Sequence, residues 1–181
     1  MKKKGFTVFE ALVVVIIFTL LFALVFEILA TGRRSGDIGT TLQDAQGQAK
    51  QGLENMTREL YESSTSHVNP SPLNNSSYLV FQVPVGYDAD GNLLWGADGQ
   101  SGYGIKYIIN SQNQRLMRQV LDRYPIGSLI KENVLANFVQ SVSFTLAQNS
   151  NTLTISLTCQ RTSLGGPDLS ATLSSAVNLR N

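Results

Sequence analysis

Three residue types that build catalytic sites and covalent staples are almost missing from this chain. Its 181 residues include one cysteine, one histidine and one tryptophan. Cys159 has no partner for an intrachain disulfide. It alternates with apolar residues in an expected strand, which makes a buried thiol its expected state. His67 stands beside no paired acid or serine motif, so it supports neither a catalytic triad nor a zinc site. No nucleophile elbow or phosphate loop appears, and neither repeats nor low-complexity segments occur. Charge of one sign is lacking too. Fourteen basic residues face 13 acidic ones, and without Lys2, Lys3 and Lys4 the basic count falls to 11. Nothing there forms a basic surface for nucleic acid. Catalysis is not expected, and no cofactor is implied.

What the chain does have is concentrated at its start. Lys2-Lys3-Lys4-Gly5 precedes an apolar run from Phe6 to Ala30, interrupted only by Thr7, Glu10, Thr19 and Glu27. As a helix these 25 residues reach roughly 37 Å, enough to cross a hydrocarbon core of about 30 Å. The β-branched stretch from Val13 to Ile17 would weaken a helix in water. In lipid every backbone group must bond internally, and helix is the only answer for a single segment. Lysines ahead of the run place the N-terminus inside and the remainder outside. Glu10 burdens such a segment, because a carboxylate in lipid costs several kcal/mol unless it is paired. Snorkelling to the headgroups is one relief for it. Glu27, followed by Arg33 and Arg34, marks the outer interface, and Thr19 can bond the preceding turn. A secretory signal has a shorter apolar core, although Ala30-Thr31-Gly32 imitates a cleavage site. An uncleaved anchor is the other plain alternative.

Gly5-Phe6-Thr7-Val8-Phe9-Glu10, set between a basic leader and an apolar helix, resembles the signal of type IV prepilins and pseudopilins. The resemblance covers about the first 30 residues. It implies that a prepilin peptidase cuts between Gly5 and Phe6 and methylates the new amine of Phe6. It also implies that Glu10 sets subunit register in a filament. Glu10 lies four residues beyond Phe6, so its carboxylate can take that amine in its own chain or in a neighbour's. Breaking a buried pair of this kind costs about 3–5 kcal/mol, which suits it to fixing stagger. Phe9 stands where the family usually has an aliphatic residue. Glu27 stands where major pilins often carry a helix-breaking proline, and this run has none. The likeness is therefore to a minor pseudopilin J or minor pilin W type. The presence of Glu10 sets it apart from the tip subunit that characteristically lacks this glutamate.

Beyond the run, residues 37–64 read as an amphipathic helix with Ile38, Leu42, Ala45, Ala49, Leu53, Met56 and Leu60 on one stripe. Asp44, Lys50, Glu54, Arg58, Glu59 and Glu62 fall off it. Gly32, Gly36 and Gly39, each about 1 kcal/mol worse than alanine in a helix, predict a bend or partial melting at the join. Asn69-Pro70-Ser71-Pro72, with Asn74, Asn75 and Ser76, ends the helical region. Strands are expected over 78–84, 104–109, 116–122, 139–147, 152–159 and 169–179. Turns are expected at Ser111-Gln112-Asn113-Gln114 and Asn149-Ser150-Asn151. The fold class is α+β: a long N-terminal helix packed on an antiparallel sheet whose apolar face covers the stripe. That layout matches the pilin-like architecture, and the closing Val177-Asn178-Leu179-Arg180-Asn181 also resembles minor pseudopilin endings. The expected division is a leader at 1–5, a membrane helix at 6–30, an amphipathic half at 31–66 and a sheet domain at 67–181.

Two further spots are open to more than one use. Asp88-Ala89-Asp90-Gly91-Asn92 alternates oxygens as a calcium loop does, with Asp88, Asp90 and Asn92 as candidate ligands. Its glycine is fourth rather than sixth, and Asp98 is the nearest substitute for the missing glutamate, so a polar turn is the competing reading. Trp95 either packs its own loop or anchors a neighbouring subunit or cargo. The function expected is a minor pilin or pseudopilin that assembles into or primes a type II secretion pseudopilus or a type IV pilus. Its implied partners are other pilins, the prepilin peptidase, an inner-membrane assembly platform and lipid. The N-terminus would be cytoplasmic and the C-terminal domain periplasmic or extracellular. The rival from another class is a membrane-tethered secreted binding protein or adhesin.

Overall fold

One helix, α1 (Val8–Leu60), runs unbroken for 53 residues, about 80 Å at 1.5 Å per residue. The computed structural model describes residues 7–70, 73–147, 150–164 and 166–180. Thr7 caps the helix and Tyr61 closes it. Gly32, Gly36 and Gly39 remain helical, so the expected melting at the join does not occur. Helix propagation is cooperative, and three glycines spaced three or four apart do not offset good formers on both sides. The sheet domain also takes hold just there: the Leu164 N–H donates to Asp37 Oδ2 at 2.8 Å.

The amphipathic half ends at Leu60, four residues earlier than its pattern suggests. The following backbone is claimed by the far end of the chain. Ser63 C=O accepts from the Arg180 N–H at 2.8 Å, and Ser64 forms a parallel bridge with Arg180. A short 3-10 turn, Thr65–His67, then leads into the strands.

Eleven strands follow among the described residues: β1 (Val68–Asn69), β2 (Leu79–Phe81), β3 (Val83–Tyr87), β4 (Leu93–Ala97), β5 (Gln100–Ser101) and β6 (Gly104–Asn110); then β7 (Arg115–Leu121), β8 (Leu129–Asn137), β9 (Val139–Leu146), β10 (Thr152–Thr162) and β11 (Asp168–Asn178). They form three antiparallel sheets rather than one, ordered β1-β2-β6-β7-β8, β11-β10-β9 and β3-β4-β5. The turns expected at 111–114 and around 149–151 do separate paired strands, β6 from β7 and β9 from β10; Gln148 and Asn149 lie outside the described residues.

Both larger sheets close on the second half of α1. Ala45, Ala49, Leu53, Met56 and Leu60 are buried as the stripe predicts, joined by Thr41 and Gly52. From the β11-β10-β9 sheet, Leu153, Ile155, Leu157 and Cys159 point inward at alternate positions. Their outward neighbours form a hydroxyl ladder, with Thr158 to Thr172 and Ser156 to Ser174 each at 2.9 Å. The five-stranded sheet contributes Leu79, Phe81, Ile105, Tyr107 and Leu116. Tyr107 joins the two sheets, its ring 5.1 Å from Phe81 and 6.4 Å from Phe144. Gly52 marks the closest approach: a Cβ there would lie 2.9 Å from a Leu157 methyl and 3.1 Å from the Ala136 Cβ.

Candidate functional site

Val8 to Leu29 is different in kind. Every large apolar side chain over that span is exposed, from Val8 at 84% to Val13 at 37%. The helix is long and apolar enough here to cross a membrane. The only acids between Val8 and Leu29 are Glu10 and Glu27. Thr19 Oγ1 donates to the Ile16 carbonyl at 2.8 Å, which satisfies the hydroxyl within the helix.

Gly5 and Phe6, the expected cut and methylation positions, lie outside the described residues. Glu10 is described, and its partner is Thr7. Thr7 is the N-cap, and its hydroxyl accepts from the Glu10 N–H at 3.3 Å. In return the Glu10 carboxylate accepts from the Thr7 N–H at 2.9 Å and the Thr7 hydroxyl at 3.1 Å. This is a capping box, and Thr7-x-x-Glu10 before an apolar run was its legible signal. Two of the four orphan donors at the helix start are satisfied this way.

The Asp88 loop spends its carboxylate on itself. Oδ1 accepts from the N–H groups of Asp90 and Asn92 at 2.9 and 2.8 Å, while Oδ2 accepts from Asn92 Nδ2 at 3.1 Å. Those bonds, Asn92's first, hold the Asp88 carboxyl below its ordinary range. The geometry is that of a side-chain-closed turn. Among the described residues no group of three or more His, Cys, Asp or Glu is placed to hold a metal ion.

Trp95 packs within its own domain. It lies on β4 with its ring stacked on His67, centroids 4.0 Å apart and planes 11° from parallel. His67 Nδ1 is 3.0 Å from Ser66 Oγ, and burial lowers its pKa.

One polar cluster escaped the pattern reading. Glu59 lies off the apolar stripe yet turns toward the five-stranded sheet. Its carboxylate accepts from Arg118 Nε at 2.8 and 3.0 Å and from the Tyr107 hydroxyl. Arg118 Nη2 reaches Asp98 at 2.7 Å, and Lys131 stands 3.5 Å from the same carboxylate. The hydrogen bond from Arg118 lowers the Asp98 pKa, while burial and then Glu59 raise that of Tyr107. Asp98 is positioned by a two-residue hairpin: Asp98 and Gly99, with φ of +47° and +79°, join β4 to β5. Asp-Gly after an apolar run is a turn signal in the sequence. The cluster neutralises buried charge where α1 meets the sheet. Beside it, an open groove of about 450 Å³ lies between α1 and β11, lined by Leu53, Thr57, Arg58 and Leu173.

Set against known proteins, the chain matches no family model, and no curated protein or solved structure matches it.

Proposed function

We propose that this chain is a minor pilin or pseudopilin, a membrane-held subunit that assembles into or primes a thin filament. The observation that carries the reading is a single continuous helix whose first half is apolar and uncovered while its second half is built into a sheet domain. An apolar surface of that extent needs a covering. Lipid supplies it before assembly, and the equivalent halves of neighbouring subunits supply it afterwards. The sheet domain wrapped on the other half would then lie on the filament surface, which is the pilin-like layout.

The capping box adds a physical detail. Thr7 and Glu10 both lie beyond the Gly5–Phe6 bond, so the cap survives the cut. In the lone subunit Glu10 is satisfied by Thr7. In the filament it would exchange those bonds for the charged amine of a neighbour's Phe6, a stronger interaction in a dry environment. Cleavage must come first, because that amine does not exist in the precursor. The partners this requires are a prepilin peptidase, an inner-membrane assembly platform and other pilins. The N-terminus is then cytoplasmic before assembly and the sheet domain lies outside the membrane.

The mass of the mature N-terminus tests the proposal. A chain beginning at methylated Phe6 supports it. An intact leader, or a start near Gly32, overturns it, and the second result favours a conventional secreted binding protein instead.

A further inference from the structure

Glu27 is the second acid of the membrane-length segment, and the capping box does nothing for it. Its side chain makes no hydrogen bond or ion pair to any described residue, and the same holds for Arg33 and Arg34. Counted along α1 from Val8, Glu27 stands about 28 Å on, near the far edge of a hydrocarbon core of about 30 Å. In lipid all three side chains can reach water. Inside a bundle of helices Glu27 loses that water and needs a counter-ion.

Glu27 and Arg34 are seven residues apart, two helical turns less about 20°, so they share one face. They are also about 10.5 Å apart along the axis, too far to pair within one chain. Two parallel copies side by side without stagger would set Glu27 against Glu27 and Arg34 against Arg34. Sliding one copy outward by about 10 Å brings its Glu27 level with Arg34 of the inner copy. Because α1 is continuous across Gly32, Glu27 and Arg34 keep the axial spacing of a helix, about 1.5 Å per residue. The sense agrees with the proximal pair. In both, the outward-shifted copy meets the inner one: it offers its processed amine to the inner copy's Glu10 and its Glu27 to the inner copy's Arg34.

We propose that Glu27 and Arg34 form a second ionic ruler, at the distal end of the membrane segment, that pairs one copy of this chain with a staggered second copy. Arg33, one residue nearer, is a lesser contributor because it lies about 120° round the axis from Glu27. The inference rests on the filament reading. It adds a named partner, another copy, and a contact that needs no processed N-terminus to be detected.

The test co-expresses two tagged full-length copies, Glu27→Cys and Arg34→Cys, and treats membranes with a short bismaleimide. Native Cys159 is fully buried and stays unreactive. The expected result is a mixed product several-fold above either same-site product. Equal or dominant same-site products overturn the inference, and so does the absence of a mixed product. A second arm uses self-association of Glu27→Arg, expected to be lost, and of Glu27→Arg with Arg34→Glu, expected to return. Failure of the double variant to recover also overturns it. Mass analysis of the same material separates the two levels. A cleaved N-terminus without the mixed product removes this contact alone, whereas an intact leader without it removes the filament reading as well.

Discussion

Along α1, the 23 residues from Val8 to Ala30 are exposed throughout, whereas the 20 from Thr41 to Leu60 include seven that are buried. Both stretches are helix, but for different reasons. The first has an apolar surface on all sides, and helix is what such a segment adopts when only lipid or like helices surround it. The second is amphipathic and owes its helix to the two sheets packed on one stripe. The first stretch therefore contributes little to the stability of the sheet domain, and the second is part of its core.

Alanine at matched positions should break that comparison most sharply. Met56 is fully buried, and Met56→Ala is expected to cost the fold about 2–5 kcal/mol through lost burial and the cavity left behind. Leu20 is 61% exposed, and Leu20→Ala should move unfolding of the sheet domain by no more than about 0.5 kcal/mol. Denaturant unfolding of the full chain in detergent, followed by the near-ultraviolet signal of Trp95, measures both. Similar losses from the two variants would mean that the first half is packed in a way the structure does not contain.

The same contrast decides what could be read from residues alone. The buried stripe was legible because apolar side chains recur every three or four positions, and β9 and β10 were legible because theirs alternate. β8 was not. Leu129-Ile130-Lys131-Glu132-Asn133-Val134 is exposed at every position, and β8 as a whole carries two register shifts against β7, so no period of two survives. β4 and β5 were hidden because Leu93-Leu94-Trp95-Gly96, flanked by Gly and Asp, reads as part of a loop, while the Asp98-Gly99 turn makes it a hairpin. Glu59 was placed on the solvent side by its helical angle, and only the distant Tyr107 and Arg118 show why it faces inward. At Glu10 the four-residue spacing to Phe6 points to an ion pair, whereas the three-residue spacing to Thr7 is the one the fold uses, as a capping box.

Acid–base behaviour sharpens the comparison by a smaller amount. Burial pushes the Cys159 thiol up to about 11 from an ordinary 9.0. A pKa raised in the folded state contributes stability that is complete below the unfolded value and lost as pH climbs to the folded one. The fold should therefore lose roughly 2–3 kcal/mol between pH 9 and 11 through this group, at about 1.4 kcal/mol per pH unit. Unfolding curves across that window, wild type beside Cys159→Ala, isolate the effect from the raised Tyr107 and Tyr124. The substitution should flatten the slope. Parallel slopes would place the thiol in contact with water.

The smallest effect is the most diagnostic, because it changes sign along one helix. Beyond its own stretch of helix backbone, Gly36 has no atom within 4 Å of where a Cβ would sit. Alanine there gains helix propensity without a clash and should stabilise α1 by up to about 1 kcal/mol. At Gly52 the same Cβ would sit 3.1 Å from the Ala136 Cβ, which cannot turn aside, and 2.9 Å from a Leu157 methyl, which can. Overpacking of this kind costs about 1–3 kcal/mol, against a propensity gain of about 1. The net for Gly52→Ala is a loss of up to about 2 kcal/mol. Helix content by circular dichroism should rise for Gly36→Ala, and the midpoint of sheet-domain unfolding should fall for Gly52→Ala. A gain at both glycines would mean that the sheets stand further from α1 than the contacts at residue 52 require.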